Sequence, residues 1–105
     1  MGNDEETIQE MQVLEQNLHN LLLQKQAFQM ELSETKSALK EIDKSGEIFR
    51  LIGELMIKTD KEKAKEDLIM KEKVLDMRIK SIEKQEDSLG KRLQELRNKF
   101  SNLAK

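Results

Sequence analysis

The stretch EIFRLIGELMIKTDKE, Glu47–Glu62, stands apart from the rest of a charged, proline-free chain of 105 residues. Two short runs rich in Ile, Leu, Met and Phe flank Gly53-Glu54, and a glycine placed first in a two-residue loop suits a type II′ hairpin turn. Pairing Ile52 with Leu55 puts Ile48, Arg50, Ile52, Leu55 and Ile57 on one face and Phe49, Leu51, Met56 and Lys58 on the other. Both faces are then mostly apolar. A two-stranded hairpin is marginal in water and exposes open edges, so this one is expected to be covered by strands from other chains. Ile48, Phe49, Leu51, Ile52, Leu55, Met56 and Ile57 are the expected oligomer interface.

Outward from the hairpin the rhythm changes. Alternating steps of three and four run through Met11, Leu14, Leu18, Leu21, Lys25, Phe28, Leu32, Thr35, Leu39 and Ile42, of which eight in ten are apolar. The same steps run through Leu68, Glu72, Leu75, Ile79, Ile82, Glu86, Leu89, Leu93, Leu96, Phe100 and Leu103, nine of eleven apolar. Each series is a coiled-coil seam of period 3.5. Helices are expected over about residues 4–44 and 60–104, with the hairpin over about 47–58 of a single domain spanning 1–105. At ~1.5 Å per residue each helix would be roughly 60 Å long. Asn3 with Glu6, and Thr59 with Glu62, have capping-box spacing, and Gly46 offers a left-handed residue to end the first helix. The fold class is therefore mainly α: an antiparallel two-helix coiled coil with one central β-hairpin.

Composition narrows the function. Charged residues make up 38% and aromatics 3%, with no Trp or Tyr, which disfavours an ordinary globular core. The net charge of −2, without a basic stripe interleaved with aromatics, argues against a nucleic-acid partner. With no cysteine, disulfides, thiolate metal sites and thiol catalysis are excluded. No apolar run approaches the ~18 residues of a membrane span, the acidic start MGNDEE lacks the features of a signal peptide, and Glu6 stands where a myristoylation site needs Ser or Thr. A cytoplasmic location is expected. His19 has no Cys or second His as metal partner, and the carboxylates alternate with Lys and Arg as on a solvated coiled-coil flank. No cofactor, metal or enzymatic activity is expected.

Three features lie outside the seam's basic pattern. Lys25 and Glu86 interrupt it at similar heights, where they either pair across the seam or reach separately to water. Residues 1–10 hold four acidic side chains and no basic one, and residues 91–105 hold five basic and one acidic, each sign complementing the dipole of its own helix. Off the seam, Leu23, Ala27 and Met30 on the first helix and Met70, Val74 and Met77 on the second form outward apolar stripes. These stripes serve either as packing surfaces or as a second apolar binding surface, since Met side chains adapt to many partners.

A long helix that includes LLLQKQAFQMELSETKSALKEID before the hairpin, the hairpin IFRLIGELMIK, the start TDKEKA and a second long heptad helix together resemble the β-type subunit of prefoldin, particularly the archaeal form. One hairpin is the β-type pattern, and α-type subunits carry two. The resemblance implies an ATP-independent holdase in which two α-type and four β-type subunits join through their hairpins into a double β-barrel with six coiled-coil tentacles. Tentacle tips would hold unfolded client proteins and pass them to a group II chaperonin. At positions matching the family's client-binding ends this chain has Ile8, Met11, Val13 and Leu14 beside Leu93, Leu96, Phe100 and Leu103. The rival reading is a structural coiled-coil adaptor that oligomerises through its hairpin and binds one defined partner.

Overall fold

A computed structural model describes the backbone of residues 2–103 and the side chains of residues 4–102. The element order is α1 (Gly2–Ile42), β1 (Ile48–Ile52), β2 (Leu55–Thr59) and α2 (Lys61–Leu103). Two compact units share these elements: one is Met1–Ala27 with Ile79–Lys105, here the chain-end unit, and the other is Phe28–Arg78, the hairpin unit.

In the chain-end unit, Leu14, Leu93 and Leu96 form a buried cluster with Met11, Leu18 and Leu89 packed against it, and Ile79 and Ile82 are buried as well. All are seam positions, so the heptad spacing sets which side chains leave water. Thr7, one heptad before Leu14, is also buried. Lys25 and Glu86 do pair, Nζ to Oε1 at 2.8 Å, with side chains only 20% and 21% exposed. Of the two readings open in the sequence, the cross-seam ion pair is the one adopted. Interhelix ion pairs flank the apolar layers: Arg92 donates to Glu10 at 2.9 Å and Arg97 to Glu15 at 3.1 Å. The hydrogen bond to Glu10, helped by its charge, raises the Arg92 pKa above an already high value, so this guanidinium stays protonated.

The hairpin unit has a thinner core. Ile42 and Leu75 are its buried apolar side chains among the described residues, with Thr35 buried beside them and its hydroxyl donating to the Glu31 carbonyl at 2.8 Å. The strands pair antiparallel in the expected register, Ile52 with Leu55 through Ile48 with Thr59. Gly53 has φ +61° and no non-glycine residue has positive φ, which is the signature of a II′ turn with glycine first.

The helix ends differ from the capping expectations. Asn3 already lies within α1 and its side chain is outside the described residues, so it is not the N-cap. Thr59 ends β2, and its hydroxyl donates to the Ile57 carbonyl at 3.1 Å, leaving Asp60 as the residue before α2; the Ala64 amide bonds the Asp60 carbonyl at 3.0 Å. Gly46 does not adopt the left-handed conformation. Tight turns from Lys44 to Glu41 and Ser45 to Ile42 close α1, and Lys61 Nζ donates to the carbonyls of Asp43 at 3.2 Å and Ser45 at 2.8 Å. A cation from the start of α2 thus satisfies carbonyls just past the negative end of α1, so no αL cap is required. The expected last helical residue, Ala104, lies outside the described residues.

Candidate interaction surfaces

The hairpin is where apolar side chains meet water. Phe49, Leu51, Ile52, Leu55, Met56 and Ile57 are all exposed, Leu51 and Met56 at 70%, and Ile48 is half-buried. All seven expected interface residues therefore sit together on one small sheet. With side chains alternating, neither face finds enough partners within the hairpin unit to be buried. One point of attachment is polar: Arg50 reaches Asp67 of α2 at 3.0 Å.

Between this sheet and the helices lies an open groove of about 490 Å³. Ala38, Ile42, Ile48, Phe49, Ala64 and Leu68 give it an apolar lining, and Glu41, Arg50, Asp67 and Lys71 stand among them. Sequence reasoning missed this groove. The available signal was Ala38 and Ala64, two small residues flanking the seam near the ends of the helices that meet the hairpin.

The residues assigned to client binding divide by depth. Ile8 and Val13 are exposed, Met11 and Phe100 are half-buried, and Leu14, Leu93 and Leu96 are in the core of the chain-end unit. The Leu103 side chain lies outside the described residues. The structure thus brings together an inward layer and a smaller outward set. Within the chain-end unit the surface also includes Leu22 and Leu23. In the hairpin unit Met30, Met70, Val74 and Met77 are all exposed, as is Ile69, which the stripe pattern did not include. Among the described residues no group of three or more His, Cys, Asp or Glu could hold a metal ion, and no helix is long and apolar enough to cross a membrane.

Two helices paired through a heptad seam, with an apolar hairpin left open between them, define a coiled-coil assembly subunit. The prefoldin subunit family model matches residues 5–105. The prefoldin subunit beta of Thermococcus onnurineus is 43% identical over 89 residues, covering 82% of this chain and 77% of that protein. That of Pyrococcus furiosus is 34% identical over 94 residues, covering 87% and 80%. The crystal structure of the prefoldin beta subunit from Thermococcus strain KS-1 superposes with a TM-score of 0.88 at 30% identity, covering 98% of this chain and 93% of that one. The chain belongs to the prefoldin subunit family, whose members are chaperone subunits rather than enzymes.

Proposed function

We propose that this chain is a β-type subunit of a cytoplasmic, ATP-independent holdase, a single prefoldin domain that assembles with α-type subunits in a hexamer of two α and four β chains. The observation that carries this reading is the hairpin, a folded two-stranded sheet whose apolar side chains remain exposed on both faces. Such a surface is stable in water only when other strands cover it. Unfolded clients are held at the chain-end surface around Ile8, Met11, Val13 and Phe100, and are then passed to a group II chaperonin. Leu14, Leu93 and Leu96 support that surface and join it where the last seam layers open. Met30, Met70, Val74 and Met77, with Leu23, give clients a second foothold, because flexible thioethers adapt to many surfaces.

The ion pairs Glu10–Arg92 and Glu15–Arg97, which flank the seam at the chain-end unit, favour the adaptor as the second reading, because a seam held shut offers less surface to an irregular client. Breadth of binding separates the two. The chain, co-expressed with an α-type subunit, is expected to slow the aggregation of several unrelated denatured proteins, followed by light scattering. Replacing Ile8 and Val13 with Ser should weaken that suppression most, and replacing Met30, Met70 and Met77 with Gln should weaken it less, with the oligomer intact in both. Suppression of one client alone would establish the adaptor instead.

A further inference from the structure

The chain has six methionines and neither cysteine nor tryptophan, so a peroxide meets no thiol here and acts on thioethers instead. Their settings differ. Met1 lies outside the described residues. Met11 is half-buried and packs against Leu14, Leu93 and Leu96 in the chain-end unit. Met56 sits on the hairpin, the surface that the proposed function covers with other strands. Met30, Met70 and Met77 belong to the helices of the hairpin unit and are 67, 60 and 69% exposed. None of the three is a seam position, and Met70, Val74 and Met77 follow at steps of four and three along one face of α2. A methionine side chain is unbranched and carries its sulfur next to the terminal methyl, so residues this exposed present the sulfur to small solutes. Leucine in their place would be as apolar and inert to peroxide; the thioether is what differs.

We propose that Met30, Met70 and Met77 form a peroxide-sensitive modification site, whose oxidation to sulfoxides switches off the second client foothold. The proposal rests on that foothold and adds its chemical control. In each step the sulfur lone pair attacks one oxygen of hydrogen peroxide. The S–O bond forms as the O–O bond breaks, sulfur gives up two electrons, and the other oxygen leaves as water. An adaptable apolar tip becomes a polar, chiral one. The sulfoxide oxygen holds water, and an unfolded client must strip that water before its own apolar side chains can dock. The fold does not resist the change at these positions, because off the seam the new oxygen points into solvent and no buried layer is disturbed. An oxygen on Met11 would instead enter the cluster of Leu14, Leu93 and Leu96. The change is also reversible: a sulfoxide reductase returns the thioether, with a dithiol oxidised to its disulfide and the oxygen released as water. Capture at this surface then follows the balance between peroxide and dithiol, while the seam that holds the chain together is left alone.

The test uses the full chain assembled with an α-type subunit and treated with dilute hydrogen peroxide. Peptide mass mapping should find an added oxygen, about 16 Da, on each of Met30, Met70 and Met77 well before Met11. Oxidation of Met11 at the same rate, or none at the three, would overturn the site. Suppression of client aggregation should fall to the level of the variant carrying Met30→Gln, Met70→Gln and Met77→Gln, with the melting temperature unchanged, and a sulfoxide reductase with a dithiol should restore it. The variant carrying Met30→Leu, Met70→Leu and Met77→Leu keeps apolar size and helix propensity but offers peroxide no sulfur there. It should hold clients equally well before and after treatment. If it loses suppression as the unaltered chain does, the loss arises at Met56 or in the α-type subunit, and the proposal is overturned. The Gln variant separates this failure from failure of the broader reading. If that variant captures clients as well as the unaltered chain, the foothold itself is absent. If it is weakened while mapped sulfoxides leave capture intact, the foothold stands and its control by peroxide does not.

Discussion

The two units are made of similar side chains used in opposite ways. The chain-end unit buries Leu14, Ile79, Ile82, Leu93 and Leu96, whereas the hairpin unit buries Ile42 and Leu75 and leaves eleven large apolar side chains exposed among the described residues. The difference follows from geometry. A helix pair with a 3.5-residue repeat hides its apolar seam within one chain, because each helix is the other's cover. A two-stranded sheet has two faces and two edges, and a single chain of this length supplies one partial cover, the groove side held by Arg50–Asp67. The first unit covers its own apolar layers, and the second leaves most of its apolar side chains exposed. On the proposed function, stability and association fall to different residues of one small protein.

The largest expected effect tests that assignment directly. Leu96 is 2% exposed, and Leu96→Ala should destabilise the chain by about 3 kcal/mol through lost burial and the cavity left behind. Leu51 is 70% exposed, and Leu51→Ala should change the stability of the dissociated chain by less than about 0.5 kcal/mol. Denaturant melts at a concentration too low for association check both. At concentrations where copies associate, the Leu51→Ala variant should lose mass while Leu96→Ala keeps it. If the two variants behave alike in both assays, the division between the units fails.

Much of this was legible in the sequence because its signals are periodic. The seam from Met11 to Ile42 and from Leu68 to Phe100 is the set of side chains turned inward, and the turn at Gly53 set the hairpin register without a slip, since a glycine with positive φ fixes which residues face each other. The helix ends were less legible. Thr59 has the right spacing from Glu62, yet β2 claims it for the sheet, and α1 is closed by Lys61 from across the hairpin rather than by Gly46. The groove went unseen for the same reason: Ala38, Ala64 and Leu68 meet β1 only after the hairpin has folded back, and no local pattern encodes that meeting. Burial depth within the expected client set was also hidden, because Val13 and Leu14 are neighbours in sequence, yet the turn of about 100° between them takes one to solvent and the other into the core.

A smaller effect concerns the Lys25–Glu86 pair inside the chain-end unit. Lys25→Met alone leaves a half-buried carboxylate without its partner. Losing one partner of a buried pair costs ~3–5 kcal/mol, and with a fifth of each side chain exposed the expected loss here is about 1–2 kcal/mol. Adding Glu86→Leu should return stability to the starting value or above it, since an apolar layer of similar size replaces the pair. A double-mutant cycle on melting curves checks this. Failure of the second substitution to rescue the first would mean that the pair holds the seam in register rather than merely filling it.

The smallest effect is expected at Glu10, whose carboxylate receives Arg92 on the outside of the chain-end unit. Both side chains are about half exposed, and ion pairs in that setting contribute little because water screens them and two long side chains must be held in place. Arg92 stays charged whatever is done to its partner, so Glu10→Gln removes the attraction while keeping a hydrogen-bond acceptor for the guanidinium. The expected result is a slight fall in melting temperature in dilute buffer that disappears at ~1 M salt, where the Debye length shrinks to ~3 Å. The same variant should capture unfolded clients at least as well as the unaltered chain, because relaxing the flank of the seam eases access to the layer of Leu14, Leu93 and Leu96. If capture falls instead, with stability unchanged, then the ion pair is itself part of the client surface, and the chain-end unit recognises charge as well as apolar side chains.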